Sequence, residues 1–333
     1  MYDVVTIGET MLRLTPDSGL RWEQADSWQM HVGGSESNTA AGLSRLGLRV
    51  AWLSRLTNNP LGKKISRCLA GHGVDVGHVV WTDQDRIGTY YYEPASPPRD
   101  AAVLYDRMHS SFSRFSAEML PADLFSAGKS RCLHFTGISL ALGATTRQMI
   151  GRAVELARSA GWLISFDVNH RAKLMAAEEA RPFYEQFIAQ ADIVFVPIRD
   201  ARLLWGCSIT DQRLSDDTRQ AASQCLVELS PLAAARCLVL TLGSYGSAAA
   251  FNDQHYYAST TTVPTLGRLG TGDAFSAGFL SSWLKSLEPQ SALLYGNAAA
   301  CLKCSMPGDL PCYTRQEVDR LAQKKPYGDG YFR

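Results

Sequence analysis

One rhythm constrains this chain more than any other feature. Short apolar runs recur from end to end, each closed by a turn and followed by a helical stretch. Residues 4–7 predict a first strand and 37–46 a helix closed by Gly47; 50–54 read as strand and 61–70 as helix. Residues 131–135, 145–160 and 162–168 repeat the order strand, helix, strand. Further strands are expected at 193–196, 237–242 and 247–251, and two helices at 273–285 and 290–304. Runs this short and apolar suit strands buried on both faces, and the helices between them must supply the cover. The expectation is therefore an α/β fold with a mainly parallel sheet. In such folds ligands bind beyond the carboxyl ends of the strands.

Two stretches break the rhythm. Residues 11–32 are rich in Trp, Arg and Gln without a helical period. Residues 86–110 hold Gly88-Thr89-Tyr90-Tyr91-Tyr92 and Val103-Leu104-Tyr105 around a turn with Pro94, Pro97 and Pro98. The latter predict strands of a small sheet projecting from the core, suited to a lid. No linker, repeat or low-complexity segment interrupts residues 1–333, so a single domain with a small β excursion is expected. An apolar lid sheet leaves an edge and a face to cover, which favours a homodimer through the lid.

Charge excludes some partners. The formal net charge is +1, with neither a basic excess to suggest nucleic acid nor an acidic tail. Any anion must be gripped locally. The N-terminus lacks the pattern of a secretory signal, and no apolar run approaches the ~20 residues that span a bilayer, so no membrane partner and a cytoplasmic location are expected. The eight cysteines are scattered through a chain too large to need staples. Cys301 and Cys304 have the spacing of a redox or metal pair, but they lie in an apolar helical run where cysteine acts as a small hydrophobe.

The most informative segment is Gly270-Thr271-Gly272-Asp273-Ala274-Phe275. Glycines end a loop and an apolar helix begins at once. Bare backbone N–H groups at a helix start form an anion site. A carboxylate in the same turn can take a proton from a hydroxyl held beside that anion. Phosphoryl transfer needs both. Alternatively, Asp273 merely caps the helix, worth about 1 kcal/mol.

The segment resembles the C-terminal signature of the ribokinase-like (pfkB-type) carbohydrate kinases, with Thr271 replacing the usual Ala. His31-Val32-Gly33-Gly34-Ser35-Glu36-Ser37-Asn38 is similar to that family's N-terminal motif, and Arg45-Leu46-Gly47 and Leu61-Gly62 follow at its spacing. The resemblance implies a three-layer α/β/α sandwich, a sugar acceptor, ATP and Mg²⁺. Asp273 would be the base, and the Gly270, Thr271 and Gly272 turn would stabilise the phosphoryl charge. Gly88-Thr89-Tyr90, Tyr105-Asp106-Arg107, Asp167-Val168-Asn169-His170-Arg171, Arg199-Asp200-Ala201 and Pro307-Gly308-Asp309-Leu310-Pro311 resemble the branch acting on 2-keto-3-deoxygluconate. By that likeness Gly33, Gly34 and Asn38 contact sugar hydroxyls, and Tyr90, Tyr105, Arg107 and Arg171 surround a carboxylate. Guanidinium groups match carboxylates in planar, bidentate fashion. Thr241, Gly243 and Gly246 resemble the nucleotide-binding turn, and Asn297 lies where a helix flanks adenine. Two alternatives keep the same fold: a kinase for a neutral sugar such as fructose or ribose, and a catalytically silent sensor that binds sugar or nucleotide.

Two positions depart from the family. Where many members place an Asp that helps to hold a monovalent cation, this chain has Gly267, which speaks against a potassium site. The Asn-x-x-Glu motif that organises magnesium through water reads Pro197-Ile198-Arg199-Asp200, so only Asp200 remains to act on a metal indirectly.

Overall fold

The structure is a computed structural model that describes residues 1–232 and 237–323. The chain opens with β1 (Val4–Ile7), then β2 (Met11–Thr15) and β3 (Gln29–Gly33), followed by α1 (Ser35–Arg45) and β4 (Val50–Leu53). A short pair, β5 (Arg55–Thr57) and β6 (Val80–Thr82), brackets α2 (Pro60–Gly71), and β7 (Thr89–Glu93) and β8 (Ala102–Asp106) come next. Then follow β9 (Cys132–Thr136), α3 (Gly137–Ala141), α4 (Ala144–Ser159), β10 (Leu163–Asp167), α5 (Ala177–Ile188), β11 (Ile193–Pro197), α6 (Ile198–Trp205), α7 (Asp211–Asp216) and α8 (Thr218–Leu229). The last strands are β12 (Cys237–Thr241), β13 (Ser247–Phe251) and β14 (Gln254–Ala258), and the last helices α9 (Thr271–Ser286), α10 (Pro289–Cys304) and α11 (Arg315–Ala322).

The main sheet is eight-stranded, in the order β14-β13-β12-β11-β10-β9-β1-β4. From β12 to β4 neighbouring strands are parallel; β13 and β14 close one edge as an antiparallel hairpin. Successive side chains of each strand supply opposite faces. Ile7, Leu133, Phe135, Ile164 and Phe166 pack toward α4 and α5, whereas Val4, Cys132, Ile193 and Phe195 pack toward α1, α9 and α10. This is the three-layer α/β/α arrangement. Phe195 meets Phe279 of α9 edge-on at 5.3 Å, so aromatic packing seats α9 on the sheet. Strand order reverses at β1, which lies between β9 and β4, and the crevice beyond that reversal is where such sheets hold ligands.

A second, four-stranded sheet runs β3-β2-β7-β8, built from the two stretches that broke the rhythm. In the 11–32 segment the strands are separated by a short 3₁₀ turn at Trp22–Gln24, which is why no helical period is present. One register row crosses the whole sheet: His31, Arg13, Tyr90 and Tyr105. Arg13 and Tyr90 both reach Asp309 in the loop after α10, so this row faces the body of the protein.

Cysteine usage needs one correction. Cys207 and Cys225 are joined as a disulfide, although chain size alone demanded no staple. Cys301 and Cys304 are unpaired, with Cys301 buried and Cys304 half-buried.

Candidate active site

Helix α9 starts two residues earlier than its apolar run suggests, so Asp273 is its third residue, and the cap is Gly270. Asp273 is therefore not the capping side chain. Gly270 has φ +74°, and a Cβ there would lie 2.2 Å from the Asp309 carbonyl oxygen, so only glycine makes this turn. At Gly272 a Cβ would meet nothing within 4 Å; the helix start faces open space there. Thr271 lies beside Cys304, with its Oγ1 3.6 Å from the sulfur.

Asp273 is 7% exposed, and both carboxylate oxygens are ordered. Ser35 Oγ donates to Oδ1 at 2.6 Å and Asn38 Nδ2 to Oδ2 at 2.7 Å. Asn169 Nδ2 donates to Ser35 Oγ at 2.9 Å, which leaves the Ser35 proton for Asp273. Burial pushes the Asp273 carboxyl above the usual carboxylate range, and Asp309 adds to the rise. The two hydrogen bonds and the Arg171 guanidinium pull it back. One hydrogen bond per oxygen leaves lone pairs for a further donor, such as an alcohol.

The carboxyl ends of β10 and β11 supply the far wall. Arg171 is half-buried and electrostatically coupled to Asp273 and Asp167, yet among the described residues its guanidinium makes no hydrogen bond or ion pair. Asp167 is buried with Oδ1 undonated, and burial, then Asp273 and Asp200, hold its carboxyl well above the usual range. Asp200 is fully buried. Its Oδ1 accepts from Arg199 Nε at 3.0 Å and Nη2 at 2.9 Å, and its Oδ2 from the His170 N–H at 2.8 Å. Those bonds make Asp200 an anchor of the His170 turn, and among the described residues no cluster of His, Cys, Asp and Glu is grouped to hold a metal.

The near wall is the small sheet. Tyr90, Tyr105 and Arg107 come together there: the tyrosine rings are 6.0 Å apart and Arg107 lies 5.6 Å from the Tyr105 ring centre. Arg107 is only 6% exposed and donates through Nε (2.9 Å) and Nη2 to Glu9 Oε2. Gly33 and Gly34 lead into α1, and Asn38 orients Asp273. Thr241 ends β12, and Gly243 (φ +62°) and Gly246 (φ +101°) turn the chain into β13. Asn297 Nδ2 donates to the carbonyls of Ala258 (2.9 Å) and Ser259 (3.3 Å), which ties α10 to the end of β14.

Several residues of the site had no role in the sequence reading: Glu9, Arg13, Ser35, Glu36, Asn169 and Asp309. Glu9 and Asn169 could have been found by their places just past β1 and β10. Arg13 sits in an alternating stretch that reads as surface, and Ser35 carries no signal beyond its glycine neighbours. A separate cavity of ≈ 620 Å³ opens beside His31, Lys64, Arg67 and His72. Among the site residues only Asp309 lines it, so the chemistry is placed at the strand ends, where Asp273 and the helix start converge.

A glycine-led helix start with a buried, hydrogen-bonded carboxylate in its first turn, at the carboxyl edge of a parallel sheet, fits a phosphotransferase acting on a sugar hydroxyl. The pfkB family of carbohydrate kinases matches residues 1–315, and the chain belongs to that family. It is 35% identical over 319 residues to a 2-dehydro-3-deoxygalactonokinase of Haloferax volcanii, covering 96% of each chain. To a 2-dehydro-3-deoxygluconokinase of Bacillus subtilis it is 28% identical, covering 92% of this chain and 91% of that protein. The crystal structure of a 2-dehydro-3-deoxygluconokinase from Thermotoga maritima superimposes with a TM-score of 0.88 at 29% identity, covering 97% of this chain and 98% of that one.

Proposed function

We propose that this kinase transfers the γ-phosphate of ATP to the terminal hydroxyl of a 2-keto-3-deoxy sugar acid, of the gluconate form or its galactonate epimer. The observation that carries this reading is Asp273. It sits in the first turn of α9, kept ionisable but raised by burial, with its lone pairs aimed by Ser35 and Asn38. Asp273 takes the hydroxyl proton as the oxygen attacks phosphorus, and the N–H groups of Thr271 and Gly272 receive the charge of the moving phosphoryl group. Arg171, with no ion-pair partner among the described residues, receives the substrate carboxylate. Tyr90, Tyr105 and Arg107 close the sugar pocket from the lid, and Gly33, Gly34 and Asn38 line its floor.

The nucleotide lies along the turn of Thr241, Gly243 and Gly246, with Asn297 beside the base. Mg²⁺ would enter with the nucleotide and offset phosphate charge; Asp200, engaged by Arg199 and the His170 N–H, would act on it only indirectly, through water. A cytoplasmic homodimer joined through the lid completes the reading. An ADP-release assay with ATP and Mg²⁺ on a panel of 2-keto-3-deoxygluconate, 2-keto-3-deoxygalactonate, fructose and ribose tests it. Turnover restricted to the two acids is expected. Preference for a neutral sugar, or no turnover at all, would overturn it.

A further inference from the structure

Helix α2 turns a cationic face to a cavity outside the catalytic cleft. Lys64, Arg67, Cys68 and the cap residue His72 follow one another by three, one and four positions, so they share one side of the helix. That side lines the cavity of ≈ 620 Å³, whose other walls are β3, with His31, and the loop that carries Asp309, Leu310 and Cys312. Lys64 and Arg67 are exposed, and among the described residues neither makes a hydrogen bond or an ion pair.

The charge of these two side chains is uncompensated. Asp309 is the single acid of the lining, and both of its oxygens are taken: Arg13 Nε donates to Oδ2 at 2.8 Å and Tyr90 Oη to Oδ1. The Arg13 guanidinium cancels its charge. The resulting field is felt on two walls. Burial, then the Arg13 charge, lower the His31 imidazole below its usual range, and Lys64 adds to the fall against the opposing pull of Asp309. Burial holds the Cys68 thiol up, and Lys64 draws it down. A concave space lined by one sign of charge concentrates ions of the other.

The dimensions select among anions. At 1.5 Å of rise per residue, Lys64 and His72 stand about 12 Å apart along α2, farther than a lone phosphate reaches. The His72 Nδ1 lies 2.9 Å from the Cys68 carbonyl oxygen, which leaves Nε2 at the cavity, 3.8 Å from the Cys312 sulfur. Val32 and Leu310, both buried, add apolar surface against which a carbon skeleton can pack.

We propose that this cavity is a second binding site, for a small organic acid that carries a phosphate: Lys64 and Arg67 hold the phosphate, and the carbon chain with its carboxylate runs on toward His72. The site lies outside the cleft of Asp273 and stands whichever acceptor the kinase uses.

Cys312 reports on occupancy, because it is exposed, lines the cavity and has no part in catalysis. The probe is 6-phosphogluconate, with gluconate and inorganic phosphate as controls at constant ionic strength. Alkylation of Cys312 by iodoacetamide is followed peptide by peptide in a mass spectrometer. The probe should protect Cys312 at concentrations roughly tenfold or more below those of either control, since its two charged ends bind together. In the Lys64→Ala, Arg67→Ala double variant the half-protecting concentration should rise by at least about tenfold, with kcat and the acceptor KM unchanged. Equal protection by all three anions would mean diffuse attraction to a cationic surface. Protection that survives in the double variant would place the anion elsewhere. Either result, or no protection at all, overturns the proposal. Calorimetric titration with 6-phosphogluconate does not depend on the reactivity of Cys312. It should lose one binding event in the double variant, and identical titrations of the two proteins would also overturn the proposal. The acceptor panel is read separately, so that failure of either reading leaves the other standing.

Discussion

Asp273→Asn tests the chemistry at one atom. The side chain keeps its shape, Ser35 can still donate to its oxygen, and Asn38 can turn its own amide over to accept from the introduced NH₂. The packing of α9 is untouched, and a buried carboxyl that ionises reluctantly is removed, so the melting temperature should hold or rise. What is lost is the lone pair that takes the alcohol proton. A positioned general base contributes about 10²–10⁴-fold, so kcat should fall by that factor, equivalent to about 3–5 kcal/mol of transition-state stabilisation. KM for the acid should stay within about threefold, because the amide still accepts or donates to the bound hydroxyl. Coupled ADP release gives both constants, and single-turnover quench-flow separates chemistry from product release. A variant with kcat within tenfold of the parent, at unchanged expression and fold, would remove Asp273 from the role of base.

Arg171→Ala should move the acid limb of the kcat/KM profile to higher pH. The guanidinium lowers the Asp273 pKa, and the base is active only above that pKa; a limb that stays still or moves down would refute the coupling. Gly270→Ala and Gly272→Ala should part company. At Gly270 the left-handed backbone and the Asp309 carbonyl should cost at least about 1–2 kcal/mol of stability, seen in urea melts. At Gly272 the added methyl meets open space, so stability holds while kcat drops, because the methyl intrudes where the phosphoryl group must approach. Arg107→Ala strands Glu9 as a buried, unpaired charge and should destabilise by about 3–5 kcal/mol, and Glu9→Gln in the same chain should recover part of it; thermal melts decide. Asp167→Asn should leave stability unchanged at low pH and raise it toward neutrality. The native carboxyl pKa lies above its unfolded value, so ionisation progressively favours the unfolded chain as pH rises through that unfolded value.

The main sheet was legible because fully buried strands leave little ambiguity: VVTI at 4–7 and CLVLT at 237–241 have no polar face to offer water. Helix starts were less so. Both α1 and α9 begin two residues before their apolar runs, because Ser35-Glu36 and Thr271-Gly272 are polar or small positions whose neighbours lie far away in sequence. The glycine turn and Asp273 could be read locally, since an anion site is a property of one backbone segment. Asp309 could not be given a role, because its partners Arg13 and Tyr90 lie 296 and 219 positions away. Arg107 was read as one of the groups around a carboxylate; its pairing with Glu9 spans 98 positions, and no local pattern announces it.

The buried carboxylates divide by how much of their bonding capacity the protein has already used. Glu36 takes the Thr136 N–H and the hydroxyls of Thr136 and Ser139 on Oε1; Asp200 takes Arg199 and the His170 N–H; Asp309 takes Arg13 and Tyr90. A buried ion costs several kcal/mol, and each of these offsets that cost by joining segments that would otherwise drift apart at the strand ends. Among the acids of the site three remain under-bonded: Glu9, whose Oε1 takes no donor while Oε2 is held by Arg107, and Asp167 and Asp273. Asp167 lies on β10, and burial, then the two neighbouring acids, push its carboxyl well above the usual range, which suits it poorly to lie as an anion beside a phosphoryl group. Asp273 carries one donor per oxygen and a guanidinium nearby to favour its anion, and it stands on a helix turn that is open at Gly272. Of the acids in the cleft, it alone combines a free lone pair with a neighbouring anion site, and that conjunction assigns it the proton.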